Sequence, residues 1–238
     1  MQRFLWPHSL ETISNIVIDD KQYSDLFHQL TNVLRIKNGD LITLFNHNGD
    51  QDYIFLLGKL EKRSLTLQLH QTVPNHLELP SDLVLAQAIP QKGEKWEWIL
   101  QKGTELGVKT FIPLITERTQ KTHLPKEARM QKIDTEATEQ CGRTFIPIIT
   151  AQQKLNQWKP PQGSFFASLN SQETLVSLLQ QKKSPEGLTF IIGPEGGFSP
   201  QEEQYLINQG AIPYSLGPTI LRLETAALAS LGIVSQLR

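Results

Sequence analysis

The sequence predicts an α/β protein in two parts: a small β-rich amino-terminal domain, then a mostly parallel sheet with helices on both faces. Three observations carry this expectation. Up to about residue 72 the chain is a series of short apolar runs of strand length, with one helical stretch among them. Beyond residue 80 the pattern changes to strand, helix, strand, helix, which is the alternation a parallel sheet requires. Between them, Val73-Pro74-Asn75-His76-Leu77-Glu78-Leu79-Pro80 carries two prolines and no period, so it reads as a linker. The expected division is a domain over 1–72, a linker over 73–80 and a larger domain over 81–238.

In the first domain, Leu41-Ile42-Thr43-Leu44-Phe45 is a β-rich run, followed by Asn48-Gly49-Asp50 and then Tyr53-Ile54-Phe55-Leu56-Leu57. Asn-Gly between two apolar runs predicts a hairpin, because both residues tolerate positive φ. Leu65, Leu67 and Leu69 alternate with Thr66 and Gln68 and predict a third strand. Over 23–34, Leu26, Phe27, Leu30, Val33 and Leu34 fall on one face of a helix. In the second part, 83–89, 110–114, 164–169, 188–192 and 212–216 are of strand length. Trp96, Ile99, Leu100, Gly103 and Leu106 share a helical face between the first two, and Gly107 stands where that helix would stop.

Length and composition narrow the function. A chain of 238 residues and 27.0 kDa, 39% hydrophobic and 20% charged, suits one large soluble domain or two modest ones. Cys141 is the sole cysteine, so no intrachain disulfide can form. The opening MQRFLWPHSLETISN has no cationic leader before an apolar core, and no apolar run approaches the ~18 residues of a membrane helix. A reducing, cytoplasmic setting is expected. The net charge of −1 excludes a wholly basic nucleic-acid binder and leaves room for a local basic patch. Six basic residues face two acidic ones between Lys109 and Lys132. Arg118, Lys121, Lys126, Arg129 and Lys132 read either as a phosphate-tracking strip or as a solvated face. The six histidines show no ligand spacing, and no metal is expected.

The most informative segment is Phe190-Ile191-Ile192-Gly193-Pro194-Glu195-Gly196-Gly197-Phe198-Ser199-Pro200-Gln201-Glu202-Glu203. A strand runs into a glycine-rich turn and then a helix, with Ser199 and Glu202 spaced as a capping box and Pro200 at the first helical position. The turn has neither the Lys and Ser/Thr of a phosphate-gripping loop nor the spacing of a dinucleotide fingerprint. Glu195 would repel phosphate, which favours a neutral or cationic ligand. A second loop, Leu216-Gly217-Pro218-Thr219-Ile220-Leu221-Arg222-Leu223-Glu224-Thr225-Ala226-Ala227, also follows a strand and opens a helix rich in small residues. Arg222 and Glu224 read as a capping ion pair taken alone. Two Gly-Pro loops at successive strand ends favour a shared pocket at the edge of the sheet instead.

GPEGGFSPQEE paired with LGPTILRLETAALASL resembles the carboxy-terminal signature of the SPOUT-class methyltransferases, and most closely the RsmE family. The likeness extends to Lys92-Gly93 with Gln101-Lys102-Gly103-Thr104-Glu105-Leu106-Gly107-Val108, to Thr116-Glu117-Arg118-Thr119, and to Glu136-Ala137-Thr138-Glu139-Gln140-Cys141-Gly142-Arg143. In the first domain it includes Arg3-Phe4, His28 and Val33-Leu34-Arg35-Ile36-Lys37-Asn38-Gly39-Asp40. It thus covers nearly the whole chain in order. Cys141 departs from it, standing where the family pattern has serine; its similar size should keep the packing.

The resemblance implies a PUA-like β-barrel that binds RNA, a SPOUT domain with a carboxy-terminal trefoil knot, and a homodimer. It implies S-adenosyl-L-methionine as cofactor and, as reaction, methylation of N3 of one uridine (uridine 1498 in the family) in 16S rRNA of the small ribosomal subunit. The cofactor's sulfonium cation fits a pocket that tolerates Glu195. The implied cofactor residues are Leu169, then Ile192, Gly193, Pro194, Glu195, Gly196 and Gly197, and on the second loop Leu216, Gly217, Ile220, Leu221, Arg222, Thr225 and Ala226. Arg222 is the expected stabiliser of the uracil anion that forms when N3 loses its proton. Glu195 and Glu224 are both candidates to accept that proton. Arg3, Arg35, Lys102, Arg118 and Arg143 are the expected RNA contacts, with Arg35, flanked by Leu34 and Ile36, alternatively a structural ion pair. The competing reading is an RNA-binding scaffold or assembly factor with a non-catalytic SPOUT domain, which the two intact loops disfavour.

Overall fold

A computed structural model describes residues 2–47, 49–79, 81–181 and 187–236, in two compact units that do not follow chain order. One comprises Met1–Glu78 together with Thr138–Ile146, the other Leu79–Ala137 with Pro147–Arg238.

The first unit is built on a five-stranded sheet of β1 (Arg3–Leu5), β2 (Asn15–Asp19), β3 (Leu41–Phe45), β4 (Gln51–Leu60) and β5 (Ser64–Pro74) in the order β1-β3-β4-β5-β2. β1 runs parallel to β3 and the other pairs are antiparallel. The alternation read in the sequence sets the faces: Leu65 and Leu67 are buried, as are Ile16 and Ile18 across from them, while Val17 between them is exposed. Two register shifts in β4 against β5 curl the sheet around this core. The hairpin expected at Asn48-Gly49 joins β3 to β4, with the Gly49 amide donating to the Asn46 carbonyl; Asn48 lies outside the described residues. β5 continues to Pro74, so the first two residues of the expected linker are strand, and its last, Pro80, is outside the described residues.

The expected helix over 23–34 is α1 (Ser24–His28) continued by a wider π turn at Gln29–Val33. The wider turn shifts the register of its face, so Leu30 is buried but Val33 is 64% exposed, contrary to its expected place on the apolar side.

The second unit holds a parallel sheet of β6 (Asp82–Ala88), β7 (Val108–Ile115), β8 (Ile148–Ile149), β9 (Gln153–Lys154), β10 (Phe165–Ala167), β11 (Gly187–Ile192) and β12 (Ile212–Tyr214). The order is β12-β10-β11-β6-β7-β8, with β9 also beside β7. Its helices are α2 (Gly93–Glu105), α3 (Glu127–Cys141, whose last residues are counted with the first unit), α4 (Leu175–Gln181), α5 (Pro200–Asn208) and α6 (Leu223–Val234). Both faces of the sheet are covered, which explains why its strands read as unbroken apolar runs. Phe165, Phe190 and Ile192 face a core shared with Trp96, Ile99 and Leu100 of α2 and Ala227 and Leu231 of α6. Phe166 and Ile191 face the opposite core with Phe198 and Leu206.

Close approach is allowed where the sequence has glycine. A Cβ on Gly103 would lie 2.8 Å from the Phe111 ring, so α2 sits directly on β7. Gly107, at φ +96°, terminates α2 as its position suggested.

Candidate active site

The carboxyl ends of β10, β11 and β12 open into one cavity of about 800 Å³ in the second unit. Ligand sites of open parallel sheets lie at such strand ends. Three loops form most of its wall, with Lys95 and Arg118 beside them.

The first leaves β11 after the buried Ile192. The Gly193 backbone passes close enough to Phe198 that a Cβ would come within 3.2 Å of its ring. The turn closes with the Gly197 amide on the Pro194 carbonyl at 2.9 Å, and Gly197 has φ +68°. Ser199 then starts α5 with the expected capping box: its hydroxyl accepts from the Glu202 amide, and Glu202 accepts from the Ser199 amide at 2.9 Å. The second Glu202 oxygen accepts the Glu117 amide at 2.7 Å. Arg118 next to it donates to the carbonyls of Gly196 at 2.8 Å and Phe198 at 3.3 Å.

The second loop follows β12. Gly217, at φ +114°, turns the chain toward Ile220, Leu221 and Arg222 on the wall, and Arg222 is the N-cap residue of α6. A Cβ on Gly197 or Gly217 would meet nothing within 4 Å, so both glycines leave open space beside the backbone. The third loop follows β10, where the Ser168 hydroxyl and Asn170 amide donate to the two oxygens of Glu203 at 2.8 and 3.0 Å.

Every expected cofactor residue lines this cavity except Thr225, which is exposed on α6. Of the expected catalytic residues, Arg222 and Glu195 are on the wall and Glu224 is not. The capping ion pair considered for Arg222 and Glu224 does not form; Glu224 pairs with Lys95, whose ammonium is 3.2 Å away. Glu195 accepts the Gln91 amide at 3.1 Å and lies 3.6 Å from the same ammonium. Lys95, Glu203, Ser168 and Asn170 are wall residues that sequence reasoning missed. Each is placed by a partner far along the chain, and nothing in its local pattern marks it.

The expected RNA residues meet different fates. Arg143 is 3% exposed, and its guanidinium grips Glu78, with an Nη2–Oε2 distance of 2.8 Å. Glu78 also accepts the Thr144 and Phe145 amides, so Arg143 is a buried structural partner and not a surface contact. Arg3 pairs with Asp52 at 2.6 Å, donates to the Arg143 carbonyl at 3.0 Å and lies over the Phe45 ring. Both arginines therefore hold the first unit together. Arg35 is exposed at φ +53° and, among the described residues, forms no ion pair, which removes the structural alternative considered for it. Lys102 pairs with Glu105 one turn along α2. Arg118 is on the cavity wall, bound to the glycine turn. Among the described residues no group of three or more His, Cys, Asp or Glu is arranged to hold a metal ion, and no helix is long and apolar enough to cross a membrane.

A family model described as an RNA methyltransferase domain matches residues 77–235, which include all three loops that open at the strand ends. The ribosomal RNA small subunit methyltransferase E of Bacillus subtilis (strain 168) is 33% identical over 225 residues, covering 87% of this chain and 86% of its own. The enzyme of that name from Neisseria gonorrhoeae, solved bound to S-adenosyl methionine, is 30% identical with a TM-score of 0.83, covering 100% of this chain and 98% of its own. A Legionella pneumophila protein solved with bound SAM is 31% identical, with a TM-score of 0.82 over 99% of this chain and 96% of its own. The chain belongs to the ribosomal RNA small subunit methyltransferase E family.

Proposed function

We propose that this protein transfers the methyl group of S-adenosyl-L-methionine to N3 of one uridine, uridine 1498 in the family, in 16S rRNA of the small ribosomal subunit. One observation carries the reading: three strand ends converge on a single cavity walled by glycine backbone, in a chain whose relatives are solved with that cofactor. The cavity volume, about 800 Å³, is within the range of small-molecule sites. Gly197 and Gly217 leave room beside the backbone for the adenosine and methionine portions. Leu169, Ile192, Leu216 and Ile220 supply apolar wall, while Glu195 and Glu203 suit a cation and would oppose a phosphate. When bound, the cofactor supplies an electrophilic methyl group on a sulfonium.

The chain's own residues supply the rest. Uridine N3 is a poor nucleophile until it loses its proton, after which the negative charge spreads to the neighbouring carbonyl oxygens. Arg222 stands at the cavity mouth, exposed, with no ion-pair partner among the described residues, so its guanidinium is free to hold a uracil carbonyl as that charge develops. Glu195 is on the wall and is the acceptor for the N3 proton; Glu224, off the wall, shares its ammonium partner.

The curled five-stranded sheet supports the PUA-like, RNA-binding reading of the first unit, and Arg35, exposed and in no ion pair among the described residues, is its RNA contact. The trefoil knot of the second unit rests on family resemblance. Ile220 and Leu169, 80% and 72% exposed at the cavity edge, support a homodimer that covers them. The enzyme then works in the cytoplasm, where its substrate is.

The test is methyl transfer to small ribosomal subunits lacking the modification. Arg222→Ala should lose about 100-fold in turnover, a loss well beyond any fall in cofactor affinity from its place on the cavity wall, since its charge acts mainly on the transition state. Full turnover by this variant would refute its role.

A further inference from the structure

Three chain segments meet at one ammonium group. Lys95 is in the first turn of α2, Glu195 in the turn after β11, and Glu224 in the first turn of α6. The ammonium is 3.6 Å from Glu195 Oε1 and 3.2 Å from Glu224 Oε2. Glu224 Oε2 is buried and takes no well-directed hydrogen bond, so this cation is its compensation. Among the described residues no other cation is within ion-pair distance of either carboxylate. The Lys95 side chain is itself only 25% exposed, where charge interactions are less screened than at the surface. Glu195 is also tied to the backbone just before α2, through the Gln91 amide.

We infer that Lys95 is a positioning residue that joins the 193–197 turn to the first turn of α6 and so sets the spacing of the two loops that face the cofactor. The inference rests on the proposed cofactor site. Without the ammonium, a carboxylate from the turn and one from the first turn of α6 remain near one partly buried point, each having stood within 4 Å of the same cation. Their repulsion pushes the loops apart and releases Glu195 from Gln91. Arg222 begins α6 two residues before Glu224, so its placement follows from the same contact.

The experiment combines amide exchange with cofactor titration, on Lys95→Met and Lys95→Arg. In ligand-free protein, Lys95→Met is expected to speed exchange at the Gln91 amide about tenfold with little change in global melting, because the opening is local. Its affinity for S-adenosyl-L-methionine should fall about tenfold, and Lys95→Arg should restore both quantities to within about threefold. Lys95→Gln repeats the charge deletion if the methionine variant does not fold. Wild-type exchange at Gln91 in the charge-deleted protein, or an arginine variant no better than methionine, would overturn the inference. If wild type itself binds no cofactor, the proposed function fails, and the exchange measurement still decides whether Lys95 holds the loop.

Discussion

A charged residue in a sequence motif can serve a ligand or the fold, and burial decides between them. Arg143 is the clear case: at 3% exposure and held by Glu78, it belongs to the interior of the first unit. Arg143→Ala should cost about 3 kcal/mol in urea unfolding, because it strands a partly buried carboxylate. Loss of RNA affinity without loss of stability would contradict that. Tyr214 is wholly buried, with its hydroxyl 2.7 Å from Ser230, and burial pushes its phenol well above the ordinary 10.0. The neutral form is the one the fold accepts. Its contribution is therefore complete below pH 10 and falls above it, as the unfolded chain's phenol ionises. Tyr214→Phe should lose about 1 kcal/mol at neutral pH and show a shallower decline above pH 10 than wild type in denaturation curves. At this scale the glycine turns and the Ser199–Glu202 cap were legible, since their signals are local. The grip of Arg118 on the glycine turn, where an RNA contact is expected, and the contact of Gln91 with Glu195 were not, because their partners lie 78 and 104 residues away.

Elements were legible where length or period was strong. The apolar run of β3, the strands β4, β6, β7 and β11, the first part of β5 and the helix α2 fall where alternation and apolar runs place them. β1, β8 and β9 have three, two and two residues, too few to show a period, and their pairing comes from the sheet beside them. β2 has a clean alternation, Ile16 and Ile18 in and Val17 out, but unlike the apolar β3 it has polar ends, Asn15 and Asp19, and passes as loop without β5 opposite. The contact of α2 with β7 offers a test whose sign is informative. Alanine normally favours a helix over glycine by about 1 kcal/mol. At Gly103 the added Cβ would meet two Phe111 ring atoms at 2.8 Å, in a core where Phe111 is wholly buried. Gly103→Ala should therefore destabilise the protein by about 1–2 kcal/mol in thermal or urea unfolding; stabilisation would mean that α2 stands further from the sheet.

At the scale of the whole molecule, the sequence suggests two domains in succession, whereas Thr138–Ile146 belongs with the amino-terminal unit. No local pattern reveals this, because it depends on the Gly142 and Arg143 carbonyls accepting from Asn75 and Arg3. The proposed homodimer is tested at the apolar cavity edge: if it forms there, Ile220→Glu, which places a charge on a side chain 80% exposed in one chain, should convert it to monomers in sedimentation. A wild-type monomer would contradict the homodimer. The proposed activity depends first on the cavity taking its cofactor. Calorimetric titration of S-adenosyl-L-methionine into wild type and Gly217→Val measures this directly. Saturable binding at up to one site per chain, lost when the valine strains the φ +114° backbone of Gly217 and fills the space beside it, is the expected result. No saturable binding by wild type, or undiminished binding by the valine variant, would contradict the assignment of this cavity.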